Sequence, residues 1–157
     1  MLDSQPIAET PALNKMTVEL VRVDDAFHFE ALGTSNVTQH IDAATDIGGH
    51  NAGARPMEML LMGLAGCSAI DVILILQKQK QVIEDFKLSV DGFREKGATP
   101  APFQQIHITY RLKGELNPER VKRAIDLSMD KYCSATAQLR PSATITYSFE
   151  INDEVYA

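Results

Sequence analysis

The period of apolar positions changes several times along the chain, and each change marks an element. Over residues 16–23, Met16, Val18 and Leu20 alternate with polar neighbours. Asp24 and Asp25 then interrupt, and a second apolar run over 27–32 completes a predicted β-hairpin. A weaker strand over 36–41 follows Gly33, and the glycines of segment 46–53 predict a mobile loop. Pro56 suits a first helical turn, and no further proline occurs before Gln79, so a long helix is predicted there.

This helix is apolar nearly all round, which fits either a membrane span or a helix buried on most of its circumference. Glu58 and Asp71 decide for the second, because a carboxylate at the centre of a bilayer costs ~2.5–3.5 kcal/mol on insertion scales. Beyond it, Phe86, Leu88 and Val90 alternate with polar residues, as do Ile106, Ile108, Tyr110 and Leu112, predicting two half-buried strands. Asn117, Pro118 and Glu119 supply a cap, a first-turn proline and a first-turn acid for a second helix. Its inward stripe runs Val121, Ala124, Ile125, Met129 and Tyr132, places Cys133 late in the helix, and ends by Pro141. Ile145, Tyr147, Phe149 and Ile151 form a last strand. The order βββ-α-ββ-α-β describes an α+β fold, with residues 1–15 a flexible N-terminal arm and residues 16–157 a single domain.

The length of 157 residues suits one core without metal or disulfide staples. With 15 Lys and Arg against 21 Asp and Glu, the net charge of −6 disfavours phosphate backbones and anionic surfaces, so neither nucleic acid nor membrane is expected as a partner. Residues 1–14 lack the basic start and apolar run of a secretory signal, which predicts a cytoplasmic protein with reduced thiols. The glycine-rich segment 48–53 has no Lys-Ser/Thr of a phosphate loop. His28, His40, His50 and His107 show no repeated ligand spacing, and no metal or other cofactor is expected.

Two thiols carry the candidate chemistry. Cys67 lies in mid-helix among Gly63, Ala65, Gly66 and Ala69, small residues that let another segment approach closely. Cys133 extends the inward stripe of the second helix. Thiols on facing helices can meet; equally, both can be small core hydrophobes, since free cysteine is among the most buried residue types.

The run from Arg55 and Pro56 through Cys67 to Asp71, with Lys131, Tyr132, Cys133 and Ser134 following on a second helix, resembles the OsmC/Ohr family of osmotically inducible and organic-hydroperoxide-resistance proteins. The resemblance covers about residues 16–151. It implies an intertwined homodimer built around paired long helices, with a thiol peroxidase site near the subunit interface. Cys67 matches the peroxidatic and Cys133 the resolving thiol. The implied reaction takes a hydroperoxide substrate, passes through a Cys67 sulfenic acid and a Cys67–Cys133 disulfide, and uses an external dithiol or lipoylated protein as reductant.

Thiolate attack calls for a positive neighbour, because an isolated cysteine is mostly protonated at neutral pH. Asp71, one helical turn beyond Cys67, brings negative charge to the thiol instead. The family uses an arginine held by a glutamate directly after the helix-starting proline; here Met57 occupies that place and Glu58 follows it. One residue is about 100° of helix rotation, so Glu58 presents to a different side. The candidate arginines are Arg22 and Arg55, the latter twelve residues before Cys67, about 18 Å along a helix. The departure at Met57 supports an alternative in the same fold, a non-catalytic dimer holding a small apolar or electrophilic ligand at its interface.

Overall fold

An aspartate turn opens the N-terminal sheet. Asp24 Oδ1 accepts the N–H groups of Ala26 (2.9 Å) and His28 (3.1 Å), a local turn that offers the chain an alternative to continuing the strand. It joins β1 (Glu19–Arg22) to β2 (Phe29–Leu32), and β3 (Gln39–Ile41) completes an antiparallel sheet in the order β1-β2-β3. These strands fall inside the three predicted segments and are shorter than them. The computed structural model describes residues 11–157; the first ten residues of the expected arm lie outside the described residues. The chain divides into two compact units, one ending at Pro56 and the other spanning Met57–Ala157.

Segment 46–53, predicted as a mobile loop, is tied down by one buried carboxylate. Asp42 is 1% exposed; its Oδ1 accepts Ala43 N–H at 2.7 Å, and its Oδ2 accepts His50 N–H and Ala52 N–H, both at 3.0 Å. The Ala52 bond leads the causes that hold the Asp42 carboxyl below its ordinary value. The glycines serve close approach here rather than motion. A Cβ on Gly49 would sit 2.0 Å from Ala43 O, and one on Gly53 2.4 Å from the His40 carbonyl carbon.

The second unit is a helix-on-sheet layer. Strands β4 (Asp85–Arg94), β5 (Phe103–Lys113), β6 (Thr144–Ile151) and β7 (Glu154–Tyr156) form one sheet in that order. β4 and β5 make an antiparallel hairpin, β5 and β6 run parallel, and β7 returns antiparallel to β6. The parallel step requires a crossover, supplied by α2 (Pro118–Leu127) and α3 (Ser134–Leu139). α2 starts as its sequence predicts, with Asn117 Oδ1 accepting Glu119 N–H at 3.0 Å and Arg120 N–H at 3.2 Å. β7 is absent from the sequence-based element order; its signal is the Asn152-Asp153 pair, both at positive φ, which turns the chain between β6 and β7.

The long helix α1 spans Pro56–Lys78 and buries Leu64, Ser68, Val72 and Leu76, a strict every-fourth-residue stripe. Leu64, Val72 and Leu76 share one core with Ile106, Ile108, Tyr110 and Leu112 of β5, with Val121 and Ile125 of α2, and with Phe149 of β6. The sequence predicts burial on most of the helix circumference; a single chain buries one stripe. Leu60, Met62, Ile70 and Leu74 stay 46%, 54%, 60% and 49% exposed. By length and hydropathy α1 could cross a membrane, yet its stripe is built into a globular core.

The clamp on segment 46–53 is directly testable. Replacing Asp42 by Asn places an amide nitrogen where a carboxylate oxygen now accepts backbone N–H groups. The His50 and Ala52 amides should then exchange with deuterium faster while those of β5 are unchanged; unaltered protection at both would show that Asp42 does not hold the loop.

Candidate functional site

α1 presents Cys67 and Asp71 one turn apart, hence on the same side of the helix, with Ser68 beside them in the buried stripe. Cys67 is half-buried. A Cβ on either Gly63 or Gly66 would meet nothing within 4 Å, so the small-residue surface leading to Cys67 is not covered by the described residues of this chain.

Cys133 is not late in a continuous helix. α2 ends at Leu127, the next turn, Ser128–Tyr132, widens to a π-helix, and Cys133 itself is extended (φ −73°, ψ 103°). Single wide turns of this kind re-aim the residues that follow them. The Cys133 N–H closes the turn on Ser128 O at 2.8 Å, and Arg140 ties its outside by donating to Met129 O at 3.1 Å. Cys133 then caps α3, its Sγ accepting Thr136 N–H at 3.3 Å. The helical pattern holds through Met129, which is why the spacing alone places Cys133 inside the helix. The break comes from an N-cap that cysteine can fill because sulfur accepts a weak hydrogen bond.

The two segments bring three ligand-type groups together: Cys67 Sγ, Cys133 Sγ and a carboxylate oxygen of Asp71 all lie within 4.8 Å of one another. Both cysteines are reduced. A disulfide between them would require the sulfurs to close to ~2.05 Å. Burial pushes the Cys133 thiol up; the Cys67 sulfur acts in the same direction, and hydrogen bonds from Thr136 oppose it.

A chain of hydroxyls runs from this cluster into the core. Ser128 Oγ donates to Asp71 Oδ2 at 3.2 Å, Ser68 and Ser128 hydroxyls are 3.3 Å apart, and Ser68 is hydrogen bonded to the Tyr110 hydroxyl. A serine has one proton to give, and that of Ser128 goes to the carboxylate. Ser68 must then donate to Ser128, and Tyr110 to Ser68. The direction Tyr110→Ser68→Ser128→Asp71 requires a protonated tyrosine, and burial raises the Tyr110 hydroxyl to about 12 from 10.0.

None of Ser68, Ser128 and Tyr110 is among the site residues expected from sequence, although Ser128 and Tyr110 leave a trace there. Ser128 falls on the apolar stripe that the sequence predicts for the second helix, four residues after Ala124, and Tyr110 on the inward positions of β5. A hydroxyl on a core face is a polar group that needs a partner. Glu58 is exposed and nine residues before Cys67, about 13 Å along the helix and on its opposite side. Arg22 and Arg55 belong to the N-terminal unit. Arg22 Nε donates to Ala26 O at 2.8 Å, and Arg55 donates to Gly53 O at 3.1 Å and to Asn51 Oδ1 at 2.7 Å. All four histidines are hydrogen bonded, His28 to His40, His50 to Asp24, and His107 to Thr146 and Ser148.

From Asp71 an open groove of about 310 Å³ runs along α1 past Leu74, Ile75 and Lys78, closed on the other side by Leu127 and Tyr132.

Residues 49–148, which carry both thiols and the hydroxyl chain, match the family model described as OsmC-like protein. The chain belongs to the OsmC-like family. Protein YhfA of Escherichia coli K12 is 42% identical over 97 residues, which is 61% of this chain and 72% of that protein. The crystal structure of a hypothetical protein from Aquifex aeolicus is 28% identical with a TM-score of 0.75, covering 89% of this chain and 99% of that one. An organic hydroperoxide resistance protein from Legionella pneumophila shares the fold at 14% identity and a TM-score of 0.66, covering 89% and 99%. The OsmC-like α+β fold read from the sequence is therefore the fold of this protein.

Burial of the Tyr110 hydroxyl makes stability depend on pH, with the Ser68 hydrogen bond opposing the shift. With the folded value of Tyr110 raised from 10.0 to about 12, its contribution is complete below pH 10 and is lost as pH rises towards the folded value. Urea unfolding should therefore show stability falling through this window, by at most about 1.4 kcal/mol per pH unit from this one group. In Tyr110→Phe the decline should flatten while stability at neutral pH drops by about 1–3 kcal/mol, the cost of leaving a buried polar partner unmatched.

Proposed function

We propose that this OsmC-like protein is a dithiol-dependent thiol peroxidase acting on organic hydroperoxides or hydrogen peroxide, an antioxidant role in the stress response. The observation that carries the reading is the approach of the Cys67 and Cys133 sulfurs to within 4.8 Å, one half-buried and the other buried. The family membership and the fold shared with an organic hydroperoxide resistance protein support it. In this scheme the accessible Cys67 attacks as thiolate, the O–O bond breaks, the hydroxyl stays on sulfur as a sulfenic acid, and the alkoxide leaves to become the alcohol. The Cys133 thiol then attacks that sulfur, water leaves, and a disulfide forms. An external dithiol or lipoylated protein returns both thiols by exchange, in a cytoplasm that keeps them reduced. The apolar walls of the groove at Asp71 suit the organic part of a hydroperoxide.

The position of Glu58 on the far side of α1 favours a second reading, a non-catalytic dimer that binds a small apolar or electrophilic ligand. The two separate cleanly in one assay. Purified protein with a dithiol should consume hydroperoxide, Cys67→Ser should abolish consumption, and Cys133→Ser should stop turnover after a sulfenic acid that a dimedone-type probe captures. Consumption unchanged in Cys67→Ser refutes the peroxidase, and no consumption by the wild type supports the binding protein.

The exposed apolar side of α1 fits a homodimer in which a second copy covers Leu60, Met62, Ile70 and Leu74. A charge at the most exposed of these, Ile70→Glu, should convert a dimer to a monomer in sedimentation while leaving the circular dichroism of the chain intact. A wild-type monomer would dispose of this arrangement.

A further inference from the structure

The spacing of histidines and cysteines along the chain gives no metal pattern, yet folding assembles one. Cys67 and Asp71 form a C-x-x-x-D pair on one face of α1, and Cys133 arrives from the cap of α3, so that two sulfurs and a carboxylate oxygen lie within 4.8 Å of one another. A tetrahedral zinc ion, with Zn–S of about 2.3 Å and Zn–O of about 2.1 Å, sets neighbouring ligand atoms roughly 3.5–3.8 Å apart. With no pair of ligand atoms more than 4.8 Å apart, shifts of about 1 Å bring them to that spacing, and the mixed sulfur and oxygen donors suit zinc among the common divalent ions. Three protein ligands leave the fourth position to water.

Outer partners are in place as well. Asp71 is oriented by the Ser128 hydroxyl at 3.2 Å, and Ser128 is fixed in turn by Ser68, itself hydrogen bonded to Tyr110. The Cys133 sulfur receives the Thr136 N–H at 3.3 Å. Groups that hold a ligand from behind in this way set its direction before the metal arrives. Burial of Cys133 disfavours a bare thiolate, and a bound dication supplies the positive charge that lets both sulfurs deprotonate.

We infer that the reduced chain binds one thiophilic divalent cation of the zinc type through Cys67, Asp71 and Cys133. Binding exchanges two thiol protons for the metal: two S–H bonds break, two S–Zn bonds form, both protons pass to solvent, and no electrons move. A metal there occupies the lone pairs that peroxide attack and disulfide formation both use, so it acts as a reversible mask on the dithiol. The inference uses the same sulfurs as the peroxidase reading but does not depend on their turnover.

The test is a titration of the full reduced protein with zinc alone against a chromophoric chelator, in weak buffer containing a pH indicator. The expected result is one zinc per chain with about two protons released for each, and with cobalt in place of zinc the thiolate charge-transfer absorption of a sulfur-ligated ion. Asp71→Asn should weaken binding about 10–100-fold, and Cys133→Ser should abolish the one-per-chain site. Wild-type protein oxidised to the disulfide needs no substitution to fold and should bind no zinc. Binding that survives oxidation, or that releases no protons, overturns the assignment. Loss of zinc binding in a protein that still consumes peroxide refutes the metal site alone, whereas tight zinc binding without peroxide consumption refutes the peroxidase alone.

Discussion

A single buried hydrogen-bond chain holds the site in register. Tyr110 from the sheet, Ser68 from the long helix and Ser128 from the wide turn are all closed off from solvent, and together they end on the carboxylate of Asp71. An unsatisfied hydroxyl in such a core costs about 1–3 kcal/mol, so each of the three fixes the next. Apolar contacts along Leu64, Val72 and Leu76 would tolerate small slides of the helix over the sheet. The hydroxyls do not, because a hydrogen bond decays within a fraction of an ångström and with angle. Cys67 precedes Ser68 and Cys133 follows the turn that Ser128 begins, so fixing the two serines fixes the two sulfurs.

The wide turn is the second decisive element. A regular α-helix continued past Leu127 would have carried Cys133 on around the helix axis as another residue of the inward stripe. The π turn and the extended backbone at Cys133 instead leave its sulfur capping α3, beside Cys67 and Asp71. The same local chemistry explains why the buried thiol keeps its proton: the Thr136 N–H favours a negative sulfur, but loss of hydration outweighs it. A buried thiol beside a half-buried one gives the pair unequal access to anything arriving from solvent.

Burial of one stripe on an otherwise apolar helix leaves a surface that water does not favour. Leu60, Met62, Ile70 and Leu74, together with the open surface at Gly63 and Gly66, form a face smooth enough for another helix to approach closely. The composition of α1 thus exceeds what the sheet requires: one side is matched to the sheet, and the other stays apolar although this chain leaves it exposed. Asp42 plays the corresponding part in the N-terminal unit, where a glycine-rich segment that looks unconstrained is gathered onto one carboxylate.

Much of the fold is legible in the residues themselves. Period-two alternation locates β5 and β6, the Asn117-Pro118-Glu119 start locates α2, and an uninterrupted apolar run locates α1, because these signals arise from contacts within a few residues. The family is legible too, through the small-residue run before Cys67 and the later cysteine. The pairing of Cys67 with Cys133 is implied by the family resemblance; what the sequence does not contain is the carboxylate of Asp71 joining them, the hydroxyl chain behind them, the break before Cys133 and the gathered loop at Asp42. Each of these depends on groups far apart in the chain, and their partners are chosen by which buried polar atoms the packed layers leave to be satisfied. Local periodicity reports which face of an element turns inward; only the tertiary structure decides which atoms it meets there.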